Sequence, residues 1–560
     1  MPFVRVPMRE LRVDDLDAVA DNLAARDLRA DRPRSELRDS RALGVNARQM
    51  IARLICVFAL GAFALGAVIG GPSSAFAEDA SVPVPTTPAA KTQHTLAIDG
   101  RIYRYTATAE RLTLVDKHAA PSASIFATSY ELDNAPHARR PVAFLWNGGP
   151  GSSTLWLHMG SFGPLRVSTN DTGVIVPPAH MVANDGTLLG STDLVFIDAP
   201  GTGYSRLVGK SAKTDFYGVD EDARAFTQFI ETWLTAHGRW GSPKFLIGES
   251  YGTTRAANVV DRLQIDGVGI NGVVLVSAAL DLTGLDPALP GDDRSNIAFL
   301  PTEAAVAWYH HAAPTHPATL EGLLDDVRAF AVGPYASALL QGDRLDAATR
   351  ASIGSKLHAY LGLDEAYIAR ADLRIDPTRF EKELQRTTGK LTGRLDGRFV
   401  GYDLDRNADS PAYDPTLDAS IQAAFVGEFN RYVRDDLYFR ADDRYLPTNY
   451  GEVGSAWKLT RDSSDVGLGN VSLPNVLPDL AQALSRNPAL RVFSANGYYD
   501  LATPFFGTEL DLHHLGLDPA LRSHITYGYY PAGHMIYLEP ISRTRLRADI
   551  ETFIRSATAH

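Results

Sequence analysis

The sequence predicts an α/β protein with a mostly parallel central sheet flanked by helices, and three observations predict it. Short apolar runs rich in Val and Ile recur at 142–146, 194–197, 245–247, 273–277 and 492–494, the pattern of strands covered on both faces. Helical periodicity lies between them, clearest over 219–237, where Phe226, Phe229, Ile230 and Trp233 share one stripe. One of the apolar runs, starting at Phe245, leads through Gly248-Glu249-Ser250-Tyr251-Gly252 into a helix-compatible segment, 253–263. Strands alternating with helices argue for a parallel sheet.

Ahead of these runs, alternating segments at 95–98 and 102–108 surround Asp99-Gly100, a hairpin turn signal. A further strand is predicted at 123–132, and a last one at 525–530. Between about 281 and 488 the strand pattern gives way to helical periodicity, turns and aromatic-rich loops, far more chain than a connection needs. This reads as a large, mainly helical cap insertion between a first core part, 95–280, and a second, 489–560.

The N-terminal part has a different character. Residues 1–49 are rich in Arg, Asp and Ala and read as a non-native or unstructured extension, as a start codon set too far upstream would produce. Met50 and Arg53 then precede an apolar run over 54–69 and a closing Ala75-Phe76-Ala77. A positive start, an apolar middle and an Ala-x-Ala ending describe a signal peptide over 50–77. The run is shorter than the roughly 20 residues that span a bilayer, so no stable membrane insertion is expected after cleavage. Residues 78–94, with Pro83, Pro85 and Pro88, read as an extended linker. The expected location is periplasmic or extracellular.

Composition bounds the chemistry. The 560 residues carry a net charge of −12, and removing 1–77, with 11 Arg and nine acidic residues, takes it to −14. No basic patch marks a nucleic-acid partner. The single cysteine, Cys56, falls in the signal segment, so the mature chain needs no oxidant to fold. Asp403, Asp405, Asn407 and Asp409 are spaced like the start of a calcium loop, but Ala408 replaces the glycine and Asp414 the terminal glutamate. The pairs His310-His311 and His513-His514 cannot each turn both rings to one ion. Neither metal nor cofactor is expected.

The turn around Ser250 is where chemistry is predicted. Glycines two residues either side let strand and helix backbones approach, leaving the hydroxyl exposed at the sheet edge. A serine hydroxyl needs a histidine as base and a carboxylate to orient it. In a strand–turn–helix hydrolase these follow in the order serine, acid, histidine. Asp500, after the run at 492–494, and His534, after 525–530, fit that order. Phe144-Leu-Trp-Asn147-Gly148-Gly149-Pro150-Gly151 is a strand ending in a glycine-rich loop. Its Gly149 N–H, with that of Tyr251, would supply two oxyanion donors. A phosphate loop is excluded because Pro150 removes a donor and no Gly-Lys-Ser/Thr follows.

These stretches, with 195–205, resemble the serine carboxypeptidase family of secreted α/β-hydrolase-fold peptidases, and the missing disulfides suit a bacterial-type member. The resemblance implies a Ser250–Asp500–His534 triad and an oxyanion hole at Gly149 and Tyr251. It also implies that Asn147, Gly148 and Glu249 bind the free carboxylate of a peptide's last residue. Beside that carboxylate Glu249 is useful only when protonated, so activity favoured at acid pH is expected. Three positions depart from the family pattern: Ser161 stands where a second carboxylate-binding glutamate is usual, Ser152 where a cysteine is usual, and Ile536-Tyr537 where Val-Pro is usual. The implied activity is removal of C-terminal residues from peptide substrates through an acyl-enzyme. The alternatives are an esterase or acyltransferase using the same triad, and a non-catalytic binding protein with a vestigial one.

Overall fold

The computed structural model describes residues 81–136, 139–285, 291–314, 317–463, 469–471 and 474–559. The N-terminal extension, the signal segment and the start of the linker lie outside them. At the first described residues, Val82 already exchanges backbone hydrogen bonds with Gly209.

A ten-stranded sheet organises the described chain. Nine of its strands are β1 (Ala90–Ile98), β2 (Arg101–Val115), β3 (Pro121–Leu132), β4 (Val142–Trp146), β5 (Asp193–Ile197), β6 (Lys244–Ser250), β7 (Gly272–Ala278), β8 (Arg491–Gly497) and β9 (Ile525–Tyr530). The tenth, Arg206–Leu207, pairs only with β3. Their spatial order is β1-β2-β3-β5-β4-β6-β7-β8-β9. Pairing is antiparallel from β1 to β5 and parallel from β5 to β9. The hairpin of β1 and β2 turns at Asp99 and Gly100, both at positive φ, as a two-residue turn of the primed type requires. The parallel strands β4 to β7 are buried at every position except the half-buried end of β6 at Ser250, which is why they read as continuous apolar runs. This order, with β4 and β5 exchanged in space and a serine at the end of β6, is the α/β-hydrolase fold.

Helices cover both faces. On one lie α1 (Val219–Ala236), α2 (Tyr251–Ile265) and, from the end of the insertion, α4 (Leu477–Arg486), which packs against α2. The α1 stripe of Phe226, Phe229, Ile230 and Trp233 is wholly buried there, and truncating one such aromatic costs about 3–5 kcal/mol. Asp220, Glu221 and Asp222 in the first turn of α1 complement the helix dipole. The other face is covered by α6 (Pro540–Thr558) and by residues 421–445 of the insertion, with Phe425, Phe429 and Tyr432 joining the core.

The remaining insertion forms its own apolar cluster around α3 (Arg294–Tyr309) and the helices Leu320–Phe330 and Ala347–Leu361. That cluster continues into Tyr499 and Leu501 after β8 and into Phe505 and Phe506 of α5 (Phe505–His513). The insertion therefore rests on the loop that carries Asp500.

Candidate active site

Ser250 occupies the one-residue corner between β6 and α2. Its φ of 61° and ψ of −133° are strained for a residue with a Cβ, at a cost of order 1–3 kcal/mol. The corner closes because a Cβ on Gly248 would lie 2.1 Å from the Gly252 carbonyl oxygen. The Trp146 indole donates to that same carbonyl at 2.8 Å, tying β4 to the turn. Ser250 is half-buried while its neighbours Glu249 and Tyr251 are buried.

Asp500 and His534 come from the loops beyond β8 and β9, and they meet. His534 Nδ1 donates to Asp500 Oδ2 at 2.8 Å, the tautomer following from the acceptor it faces. The other carboxylate oxygen accepts the backbone N–H groups of Ala502 and Thr503 at 2.8 and 2.9 Å. Thr503 Oγ1 donates to Asp500 Oδ2 at 2.7 Å and lies 3.1 Å from His534 Nδ1. Ser250 is brought to the same place through β7. Ala278 pairs with Ser250 across the ladder, and the adjacent Ser277, at φ 51°, donates its hydroxyl to the His534 carbonyl at 2.7 Å. The Ser250 hydroxyl makes no hydrogen bond to His534, whose ring bonds Asp500 and lies by Thr503. Such bonds are often long before substrate binds.

The glycine-rich loop leans on the same corner: a Cβ on Gly148 would meet the Tyr251 N at 2.5 Å. The Gly149 N–H donates to nothing among the described residues, and the Tyr251 N–H, first in its helix, lacks an intrahelical acceptor. The residue before Gly149 thus packs on the Tyr251 N–H, and a pair of such donors is what an oxyanion needs.

Asn147 and Glu249 are joined, Nδ2 donating to Oε1 at 2.7 Å, while Asn147 Oδ1 accepts from the Leu157 N–H at 2.9 Å. Burial pushes the Glu249 carboxyl up to about 7, against the opposing pull of His534. Burial pulls His534 down, but the charge and hydrogen bond of Asp500 outweigh it and leave the imidazole above its ordinary value. Glu249 adds to that rise, so the two titrate as a coupled pair. Ser161 is buried with its hydroxyl turned to the Leu157 carbonyl at 2.6 Å.

Several supporting residues have no motif to announce them. Arg255 on α2 pairs with Asp222 on α1 at 2.7 Å and donates to the Asn147 carbonyl, also at 2.7 Å. Arg255 and Asp222 are both buried, and the guanidinium lies 4.3 Å from the centroid of the Phe226 ring. Within the insertion, the Leu395 carbonyl accepts the His534 N–H at 2.6 Å and Asp396 Oδ2 accepts the Gly533 N–H at 3.1 Å. The Arg394 carbonyl takes the Leu501 N–H at 3.1 Å. One stretch of the insertion thereby holds both the acid loop and the histidine loop. Only Thr503 carried a local signal, a hydroxyl three residues after an aspartate, as in a side-chain-capped turn. Asp403, from the calcium-like spacing, is instead paired with Lys382 at 3.0 Å, both buried.

The Asp222–Arg255 pair yields a stability prediction. Asp222→Ala leaves the guanidinium buried and uncompensated, and it should lower the unfolding free energy by about 3–5 kcal/mol. Denaturant unfolding measures this; a loss under 1 kcal/mol would mean the pair does not hold α1, α2 and the glycine loop together.

Residues 112–266 match the family model described as serine carboxypeptidase. Pheromone-processing carboxypeptidase kex1 of Neosartorya fischeri is 28% identical over 139 residues, 24% of this chain and 20% of that protein. The namesake from Saccharomyces cerevisiae is 31% identical over 126 residues, 21% of this chain and 16% of that protein. The matches thus span a fifth or less of these relatives' length. The crystal structure of Kex1(delta)p, a prohormone-processing carboxypeptidase from Saccharomyces cerevisiae, aligns with 80% of this chain and 92% of that one, at 16% identity and a TM-score of 0.47.

Proposed function

We propose that the chain, whose residues 112–266 match the serine carboxypeptidase family model, is an exported serine carboxypeptidase removing C-terminal residues from peptides. Ser250 Oγ attacks the last peptide carbonyl while its proton passes to His534 Nε2. The new C–O bond gives a tetrahedral oxyanion held by the Gly149 and Tyr251 N–H groups. Collapse breaks the C–N bond, and His534 returns the proton to the departing amine. Water repeats the sequence on the acyl-enzyme, regenerating Ser250. Asp500 keeps the imidazole in the tautomer whose Nε2 is free to accept.

The observation that carries the exopeptidase reading is the buried Glu249 carboxyl, paired with Asn147 one residue before the serine. A neutral acid there donates to a substrate carboxylate; an ionised one repels it. No helix among the described residues is long and apolar enough to cross a membrane, and export rests on the segment 50–77. The esterase or acyltransferase reading is favoured by one observation, Ser161 in place of a second acid. Cleavage of an N-blocked dipeptide and of its C-terminal amide separates the two: the proposal requires a strong preference for the free acid, and equal rates would overturn it.

The pH dependence follows from the signs. Glu249 binds the carboxylate in its protonated form, so KM for the free acid should rise as pH climbs through about 7, by up to about tenfold per unit. His534 acts as base only when neutral, so kcat should fall as pH drops, and its upward shift places that fall above the ordinary imidazole range. Glu249→Gln, permanently neutral, should flatten the KM rise and keep the kcat limb. A KM rise that survives Glu249→Gln would assign it to another group.

A further inference from the structure

Beside the nucleophile two buried oxygens lack partners. Glu249 uses Oε1 for Asn147, but its Oε2 completes no hydrogen bond, and neither does the hydroxyl of Tyr537. The residues are 2% and 1% exposed. The phenol, the Glu249 carboxyl and the Asn147 amide are polar neighbours that shift one another's ionisation as weak hydrogen-bond partners do, but no hydrogen bond of good geometry uses either oxygen. Buried polar groups without partners are uncommon and each needs an explanation. Two of them converging on one small region, with an amide alongside, mark a place for a ligand with at least two acceptor oxygens.

Tyr537 remains a phenol at any physiological pH, because burial first, and then the Glu249 charge, hold its ionisation far above the ordinary tyrosine value. It can therefore donate. The position expected to hold a second acid offers nothing, since the Ser161 hydroxyl is spent on the Leu157 carbonyl. The Tyr537 ring packs on the residue next to it: a Cβ on Gly160 would lie 2.6 Å from that ring. The tyrosine thus fills the side of the site from which the second acid is missing.

We propose that the Tyr537 hydroxyl is the second donor to the substrate's terminal carboxylate, one oxygen of which it takes while protonated Glu249 takes the other. Recognition then needs one titrating acid instead of two, and Ile536-Tyr537 is a specificity-determining change rather than a neutral one. This rests on the carboxypeptidase reading above.

The test is Tyr537→Phe, which removes the hydroxyl and keeps the ring against Gly160. Steady-state kinetics on an N-blocked dipeptide and on its C-terminal amide give the free-acid preference of wild type and variant. The preference should fall about 10- to 100-fold, the size of a lost hydrogen bond to a charged group. The fall should sit in KM with kcat for the acid changed less than about threefold, and an N-acyl amino acid should lose potency as a competitive inhibitor by the same factor. An unchanged preference in Tyr537→Phe overturns the role of Tyr537 while leaving the carboxypeptidase reading intact. A wild type with no preference overturns both. Equal losses on acid and amide also overturn it, because the hydroxyl would then serve the fold or the reacting centre.

Discussion

Ser250→Ala is expected to reduce kcat for peptide hydrolysis by on the order of 10⁶-fold, and His534→Ala by a similar factor, with the double variant little worse than either. The magnitude is that of serine hydrolases whose nucleophile and base act as one unit. The geometry that argues for it here is the strained corner of Ser250 and the β7 bridge from Ala278 to the Ser277–His534 bond. Because the Ser250 hydroxyl serves as the nucleophile, the variant should bind substrate almost normally and fail only in the chemical step. A fluorophosphonate probe should label the wild type and not Ser250→Ala. Labelling of the variant, or retention of more than a thousandth of the activity, would remove Ser250 from the mechanism.

Asp500→Asn should lower kcat by about 10⁴-fold with little change in thermal stability. The hydrogen bonds dictate why. Oδ1 accepts the backbone N–H groups of Ala502 and Thr503, so an asparagine must keep its oxygen there and turn its amide toward His534 Nδ1. Two donors then face each other, and the ring relieves this by moving its proton to Nε2, the nitrogen that must accept from Ser250. Isosteric replacement thus preserves packing and inverts the base. The loss should shrink as pH rises and the serine ionises more readily, so kcat across pH is the measurement. A loss below tenfold would mean that Thr503, which also reaches His534 Nδ1, can orient the ring alone.

Much of the site was legible because its demands are local. The Gly248–Gly252 turn needs small residues wherever strand meets helix at van der Waals distance, and the Asp99-Gly100 hairpin needs positive φ; both leave marks within five residues. Buried parallel strands leave apolar runs for the same reason. What was illegible is contact between distant stretches. Nothing near Arg255 says that its charge meets Asp222 and the Asn147 carbonyl, and nothing near Leu395 says that its carbonyl receives the His534 N–H. The insertion looked like one helical block, yet α4 packs on α2, residues 421–445 enter the opposite face, and 394–397 grip the catalytic loops. Periodicity reports which residues seek burial and is silent on what buries them.

By itself the sequence determined the order of strands and helices and the turn that presents Ser250, since each depends on backbone requirements satisfied within a few residues, and it marked Asp500 and His534 as the candidate acid and base by their order along the chain. Only the tertiary structure decided that Asp500 and His534 bond to each other, that Glu249 is buried enough to stay neutral up to about pH 7, and that Tyr537 stands beside it with its hydroxyl unspent. The reason is that proton affinity and hydrogen-bond satisfaction are properties of the surroundings, and the surroundings are assembled from residues hundreds of positions apart.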